Sequence, residues 1–126
     1  MKEVGAPTNE DADLVVRLGQ LWFLGKVDEA SSFAWSDRFV PTYGAFARKY
    51  PPGSDEFRKL MNLCAWYETV GTLYKHGLLN GELLFDWLSV GSNWNRVKGF
   101  AVGMRKARGI PRLWENFEAM AKVQMD

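Results

Sequence analysis

Residues 54–79 have the sequence SDEFRKLMNLCAWYETVGTLYKHGLL, the longest stretch of this chain that is typical of one uninterrupted helix. Ser54 is a suitable N-cap, because its hydroxyl can accept a hydrogen bond from a free backbone N–H of the first turn. Asp55 and Glu56 follow it, where the helix dipole favours negative charge. At the other end, Gly77 can adopt the left-handed conformation that ends many helices. We therefore predict a helix over residues 54–77.

Apolar side chains occupy nearly every side of this predicted helix. At about 100° per residue, one face carries Phe57, Leu60, Met61, Cys64, Tyr67 and Gly71. A second apolar set covers much of the opposite side: Leu63, Trp66, Val70, Leu73 and Tyr74. A helix of this kind belongs in a core or has one side against a partner subunit. We predict that it is the centre of the fold and that the C-terminal helices pack around it.

Glu68 lies in the middle of the first apolar face, between Cys64 and Gly71. An ionised carboxylate there costs free energy unless it is paired or hydrogen-bonded. We expect a partner, with Arg105 as the first candidate and tyrosine, tryptophan or backbone donors as alternatives. A functional interpretation makes Glu68 a general base or ligand anchor with a raised pKa. The structural interpretation, a buried ion pair, is favoured because the sequence shows no second catalytic group to work with it.

The composition is that of a globular protein. The chain has 126 residues, of which 47% are hydrophobic and 25% charged, and its formal net charge is +1. This length fits one domain with a real core, so we predict a single helical domain over residues 1–126, with residues 1–7 disordered. One cysteine and one histidine exclude an internal disulfide and argue against a structural zinc site, and no cofactor motif is present. With no signal peptide and no stretch long enough to span a membrane, we predict a cytoplasmic protein without a membrane partner.

The rest of the chain also has helical patterns. Thr8 followed by Asp11 is typical of a capping box. Further helices are predicted over about 8–24, 27–35, 39–50, 82–88, 90–108 and 112–125, the first two of which can be continuous. No stretch shows the alternation of a strand. With the first two joined and the central helix included, these are six, and we predict a single-domain all-α bundle of five or six helices.

Charge is unevenly distributed along the C-terminal half. Between Trp87 and Trp114 there is no acidic residue, whereas six residues are basic: Arg96, Lys98, Arg105, Lys106, Arg108 and Arg112. A basic segment over 96–112 with interleaved aromatic residues can bind phosphates and stack bases. The near-neutral net charge of the whole chain is the weak point of this interpretation. Nucleic-acid binding is therefore the alternative hypothesis.

Several short motifs follow one another along the chain: Tyr67-Glu68-Thr69-Val70-Gly71, Lys75-His76-Gly77-Leu78-Leu79, Leu84-Phe85, Trp94, Arg105-Lys106 and Pro111-x-Leu113-Trp114-x-Asn116-Phe117. In this order, over roughly residues 35–124, the chain resembles a family of small helical bacterial proteins catalogued only as a domain of unknown function. The resemblance implies an all-helical fold and supports a contact between Glu68 and Arg105. It implies no activity.

The leading functional hypothesis is a non-enzymatic interaction or scaffold module that self-associates as a homo-oligomer or binds a protein partner. Its basis is that the predicted helices carry more apolar surface than a monomer of this length easily buries. Trp22, Trp66 and Leu73 are the candidate interface residues. A third hypothesis is an enzyme or small-ligand binder centred on Glu68.

Overall fold

The structure, a computed structural model, describes residues 5–126, and these residues form seven α-helices and no strand. In chain order the helices are α1 (Asn9–Leu24), α2 (Val27–Ala34), α3 (Tyr43–Lys49), α4 (Asp55–Lys75), α5 (Gly81–Trp87), α6 (Val90–Arg108) and α7 (Glu115–Met125). The all-α class is therefore confirmed. The predicted count of five or six helices is wrong for this part of the chain. One reason is that Lys26 has a left-handed backbone, φ 59°, which ends α1 and starts α2 as a separate helix.

The chain before α1 is described only in part. Of residues 1–7, which the sequence predicts to be disordered, residues 1–4 lie outside the described residues. Residues 5–7 are exposed and have no regular secondary structure. The carbonyl of Gly5 accepts a hydrogen bond from Nδ2 of Asn80, at 2.9 Å, which ties this segment to the start of α5.

Helix ends follow the capping signals of the sequence. Thr8 forms the predicted capping box with Asp11, and the Ser54 hydroxyl accepts a hydrogen bond from the backbone N–H of Phe57. At the end of α4, Gly77 has φ 72°, a left-handed value that favours glycine. The N–H of Leu78 donates to the carbonyl of Leu73 at 2.9 Å, which is the long hydrogen bond of a Schellman motif.

Two long helices share the core. α4 packs mainly against α2 and α7, whereas α6 packs against α3 and α7. Eight of the twelve largest fully buried side chains come from these two helices: Leu60, Leu63, Tyr67 and Val70 of α4, and Val90, Val97, Phe100 and Met104 of α6. The core is thus built between α4, α6 and α7, and a single helix does not form its centre.

Aromatic side chains supply much of this packing. Phe46 is surrounded by other rings, and its centroid lies 4.9 Å from that of Phe100. A second cluster joins α1 to α4, where the rings of Trp22 and Trp66 meet edge to face at 4.8 Å. Such pairs stabilise a fold by about 0.5–1.5 kcal/mol beyond the area they bury. The high aromatic content of the sequence is therefore used largely inside the protein.

Within the described part of the chain, no helix has both the length and the hydropathy needed to cross a bilayer.

Candidate functional site

The first turn of α7 has no local cap. Its N-cap residue is Trp114, whose side chain makes no capping hydrogen bond to the residues described. Glu68 of α4 supplies the acceptor instead. Its Oε1 accepts hydrogen bonds from the backbone N–H groups of Asn116 and Phe117, both at 3.0 Å. These are the second and third residues of α7, whose N–H groups a capping side chain normally satisfies. Glu68 therefore caps α7 from a neighbouring helix.

Further contacts surround this cap. Nδ2 of Asn116 donates to the hydroxyl of Thr72 at 3.2 Å, and that hydroxyl donates to the carbonyl of Glu68 at 2.8 Å. The rings of Tyr67 and Phe117 are stacked, with centroids 4.6 Å apart. A Cβ atom added to Gly71 would lie 2.6 Å from the carbonyl oxygen of Asn116. The backbones of α4 and α7 are therefore in direct contact here. We call this group of contacts the α4–α7 joint.

Arg105 and Glu68 have separate partners in place of the predicted contact between them. Nε of Arg105 donates to the carbonyl of Leu113 at 2.9 Å, and Nη1 lies 3.1 Å from Oε1 of Glu118. Both residues hold the start of α7, Arg105 through these two groups and Glu68 through backbone amides. The physical reason is that the free N–H groups of a helix start carry partial positive charge, which satisfies a carboxylate without an arginine.

The chemistry around Glu68 fits a structural role. Burial, and to a lesser extent the negative charge of Glu68, raises the pKa of the Cys64 thiol far above its usual value. Burial likewise raises the pKa of Tyr67. A thiol that stays protonated is a poor nucleophile, because the thiolate is the reactive form. One carboxylate oxygen of Glu68 already accepts hydrogen bonds from two backbone N–H groups. Cys64 and Glu68 are therefore not arranged as a nucleophile and its general base.

The six basic residues of segment 96–112 do not form one free surface. Arg96 is half-buried, and its guanidinium donates to the carbonyls of Ala34 and Ser36. The same guanidinium lies over the rings of Trp35 and Phe39, at 5.5 and 5.0 Å from their centroids. It therefore joins α6 to the segment after α2.

The other basic side chains differ in their surroundings. Arg105 holds α7, as described above. Arg112 pairs with Glu115 at 2.8 Å on the surface, a contact that raises the pKa of Arg112 and lowers that of Glu115. Lys98, Lys106 and Arg108 are exposed. The surface available to a polyanion is thus smaller than the sequence suggests.

An Arg96→Gln variant tests the structural role of this guanidinium. We expect it to lower the free energy of unfolding by about 1.5–3 kcal/mol, the range for hydrogen bonds made by a charged group. The matched control is Lys98→Gln on the same helix, where an exposed side chain should change stability by less than about 0.5 kcal/mol. Urea denaturation followed by circular dichroism measures both. Equal effects of the two substitutions would contradict the assignment.

Of the three predicted interface residues, Trp66 is inside the protein. It is buried, and its Nε1 donates to the carbonyl of Leu18 at 3.1 Å, so it binds α1 to α4 instead of facing a partner. Trp22, which packs against it, and Leu73 are half-buried. Trp66 is buried because α1 covers the side of α4 on which it lies.

Among the described helices, α1 carries the most exposed large apolar side chains. Val16, Leu21, Phe23 and Leu24 are all more than half exposed, and the exposed fractions of Phe23 and Leu24 are 68% and 80%. We call these four residues the α1 surface. A signal for it exists in the sequence: residues 21–24, LWFL, are four consecutive apolar residues. Four residues cover more than one helical turn, so at least one of them must point away from the core.

Comparison with protein families finds that the family model described as Domain of unknown function (DUF4760) matches residues 8–123. No significant match occurs among curated proteins or solved structures. The matched region contains the α4–α7 joint and the α1 surface. It begins well before residue 35, so the relationship includes the N-terminal helix, which the resemblance over residues 35–124 leaves out.

Proposed function

The chain belongs to the family described as Domain of unknown function (DUF4760), and we propose that it is a non-enzymatic helical interaction module that self-associates through the α1 surface. The observation that carries this proposal is the exposure of Val16, Leu21, Phe23 and Leu24 on one helix. Several large apolar side chains exposed on one helix are more than the scattered single ones of an ordinary surface, and such groups are found at interaction sites.

The position of α1 in the fold supports the proposal. Its main packing partner is α2, and Trp22 and Leu18 connect it to α4, whereas Phe23 and Leu24 are exposed among the described residues. Complete burial of a leucine or phenylalanine side chain contributes roughly 1.5–3 kcal/mol. Most of Phe23 and Leu24 is still in contact with water in the single chain. A dimer that buries both residues would therefore gain more than half of this free energy at each of them.

A second copy of the chain is the occupant that this surface fits. In an antiparallel pair of α1 helices related by a two-fold axis, Val16 of one copy lies opposite Phe23 of the other. The acidic residues Glu10 and Asp13 of one copy then lie near Lys26 of the other. Apolar contacts in the middle and opposite charges at the ends make the surface self-complementary, as an isologous dimer requires.

A Phe23→Glu/Leu24→Glu variant is expected to weaken self-association at least tenfold, about 1.4 kcal/mol, because it places unpaired charges in an apolar contact. The matched control is Leu78→Glu, which changes a leucine of similar exposure in the turn after α4. Size-exclusion chromatography with light scattering over a range of protein concentrations measures the association. Circular dichroism checks that each variant is folded.

The outcomes are distinct. A wild-type protein that is monomeric at every concentration overturns the proposal of self-association, as does a dimer that the double variant leaves intact. A dimer weakened equally by Leu78→Glu would place the contact elsewhere. Absorbance at 260 and 280 nm in the same experiment tests the alternative hypothesis. Nucleic-acid binding through Lys98, Lys106 and Arg108 predicts an excess at 260 nm that high salt removes.

A further inference from the structure

The short helix α5 has no large packing interface of its own. Within the described residues, extensive packing joins α1 to α2, α4 to α2 and α7, and α6 to α3 and α7, and α5 is in none of these pairs. It has only 7 residues, about two turns. Helices of this length are marginal in water without tertiary support. α5 therefore depends on individual side-chain contacts to keep its place.

The end of α5 is held by one glutamine of α7. Nε2 of Gln124 donates to the carbonyl of Leu88 at 2.8 Å, and a longer bond of 3.4 Å reaches the carbonyl of Phe85. Oε1 of the same side chain accepts a hydrogen bond from the backbone N–H of Gly91 at 2.8 Å. Gly91 is the second residue of α6, whose N-cap Ser89 makes no side-chain capping bond. One amide group therefore serves the end of α5 and the start of α6 together.

The last turn of α7 lies directly on the first turn of α6. A Cβ atom added to Gly91 would lie 2.6 Å from Cγ of Met125 and 3.7 Å from Oε1 of Gln124. Gln124 is half-buried, so its hydrogen bonds are partly shielded from water. We call Gln124 and Met125 the α7 latch.

Trp87, the last residue of α5, connects this helix to α4 and α1. Its ring meets that of Trp66 edge to face, with centroids 5.9 Å apart. A Cβ atom added to Gly19 of α1 would lie 3.9 Å from Cζ2 of Trp87, so the ring lies against the backbone of α1. Gly19 shares a helix face with Val16 and Phe23, which are three residues before it and four residues after it. Trp87 thus supports α1 next to the α1 surface.

We propose that α5 opens locally as a unit and that the α7 latch keeps it closed against Trp66 and α1. In the open state the hydrogen bonds from Gln124 to the two carbonyls of α5 are broken, and Trp87 leaves α1. Units with little packing of their own open without global unfolding. α5 is then the two-state element that a coupling between α7 and α1 requires.

Amide hydrogen exchange, followed in ¹H–¹⁵N spectra of the full chain, tests the latch. The N–H of Leu88 donates to the carbonyl of Leu84 at 2.8 Å and reports on α5, whereas Val70 is buried in α4 and serves as the reference. After correction for intrinsic rates, we expect Leu88 to exchange at least tenfold faster than Val70 in the wild type. Equal protection of the two amides would mean that α5 opens only with the whole protein, and would overturn the inference.

Three variants separate the two ends of the latch. Gln124→Ala is expected to raise the exchange of Leu88 and Gly91, relative to Val70, at least tenfold. Gln124→Glu keeps an acceptor for Gly91 but loses the donor to α5, so it should accelerate Leu88 more than Gly91. It remains informative if Gln124→Ala does not fold. The matched control is Lys122→Gln in the same turn, an exposed side chain that should leave the ratio within twofold. A ratio that Gln124→Ala leaves unchanged contradicts the latch.

The coupling to α1 is measured in the same spectra. In Gln124→Ala, the amide of Gly19 should exchange at least threefold faster relative to Val70, because Trp87 no longer supports it. The amide of Phe46 in α3 should keep its wild-type ratio. Faster exchange at Leu88 without a change at Gly19 would show that α5 opens alone, which contradicts the coupling.

The effect on self-association rests on the proposed function. A loosened α1 must be ordered again before it can pair, so Gln124→Ala is expected to weaken dimerisation at least threefold in light scattering. A dimer that this variant leaves intact would overturn control of the α1 surface by the latch. Exchange is also measured in the Phe23→Glu/Leu24→Glu variant, where α5 should open as in the wild type. A monomeric wild type would thus refute the proposed function, while the exchange ratios still decide the latch.

Discussion

Replacing Gly71 with alanine is expected to lower the free energy of unfolding by about 2–4 kcal/mol, which covers the upper part of the usual cost of overpacking, about 1–3 kcal/mol, and extends beyond it. The added Cβ would lie 2.6 Å from the carbonyl oxygen of Asn116 and 3.1 Å from the backbone nitrogen of Phe117. Both atoms are backbone, so no side chain can rotate away, and α7 must move as a whole. That movement also lengthens the hydrogen bonds from Asn116 and Phe117 to Glu68.

The matched control is Gly44→Ala. Gly44 is an exposed glycine of α3, and the nearest atom to its added Cβ is the flexible Nη1 of Arg48 at 3.6 Å, an ordinary contact. Alanine is better than glycine inside a helix by about 0.8–1 kcal/mol, so this variant should be more stable than the wild type. Urea denaturation of both variants gives the comparison. Similar stabilities for the two variants would show that α4 and α7 are not in close contact.

Features of the fold that depend on near neighbours in the chain could be predicted from the sequence. Thr8 and Ser54 cap their helices, and Gly77 takes the left-handed position after α4, because each needs only residues within one turn. The start of α7 is different. The sequence predicts it at about residue 112, whereas α7 begins at Glu115, after Trp114 adopts a left-handed backbone that nothing in its own side chain favours.

The partner of Glu68 required the tertiary structure. Placing Glu68 among apolar residues of one helix face correctly predicts that its carboxylate needs hydrogen bonds. Arg105 is the partner predicted when only side-chain donors are considered. The donors that Glu68 uses are the backbone N–H groups of Asn116 and Phe117. Their availability depends on where α7 begins and on the absence of a local cap, neither of which a periodic pattern contains.

Surface and core could not be distinguished on helices that are apolar on several sides. Trp66 is equally suited to a core and to an interface, and the neighbour that covers it, α1, is distant in sequence. The same is true of residues 21–24, of which Trp22 packs inward while Phe23 and Leu24 face water. Helical spacing gives the direction of each side chain around the helix axis, but the neighbouring helices determine which side of the helix is buried.

Substituting Glu68 with alanine is expected to lower the free energy of unfolding by about 2–3 kcal/mol, because it removes a charged acceptor from two part-buried N–H groups at a helix start. Glu68→Gln keeps an acceptor oxygen but loses the charge, so its expected cost is smaller, about 1 kcal/mol. Asp86→Asn, at an exposed carboxylate of α5, should change stability by less than about 0.5 kcal/mol. Urea denaturation measures the order of the three variants.

Hydrogen exchange locates the effect. If Glu68 caps α7, the amide protons of Asn116 and Phe117 exchange faster in Glu68→Ala than in the wild type, and by more than the change in global stability explains. A general base would behave differently, since Glu68→Gln would then leave both stability and exchange unchanged. That outcome would contradict the capping role and favour the hypothesis of an enzyme or ligand binder at Glu68. A capping role requires that Glu68→Ala lowers stability more than Glu68→Gln. Loss of the acceptor oxygen leaves the backbone N–H groups without a hydrogen bond, whereas loss of the charge only weakens that bond.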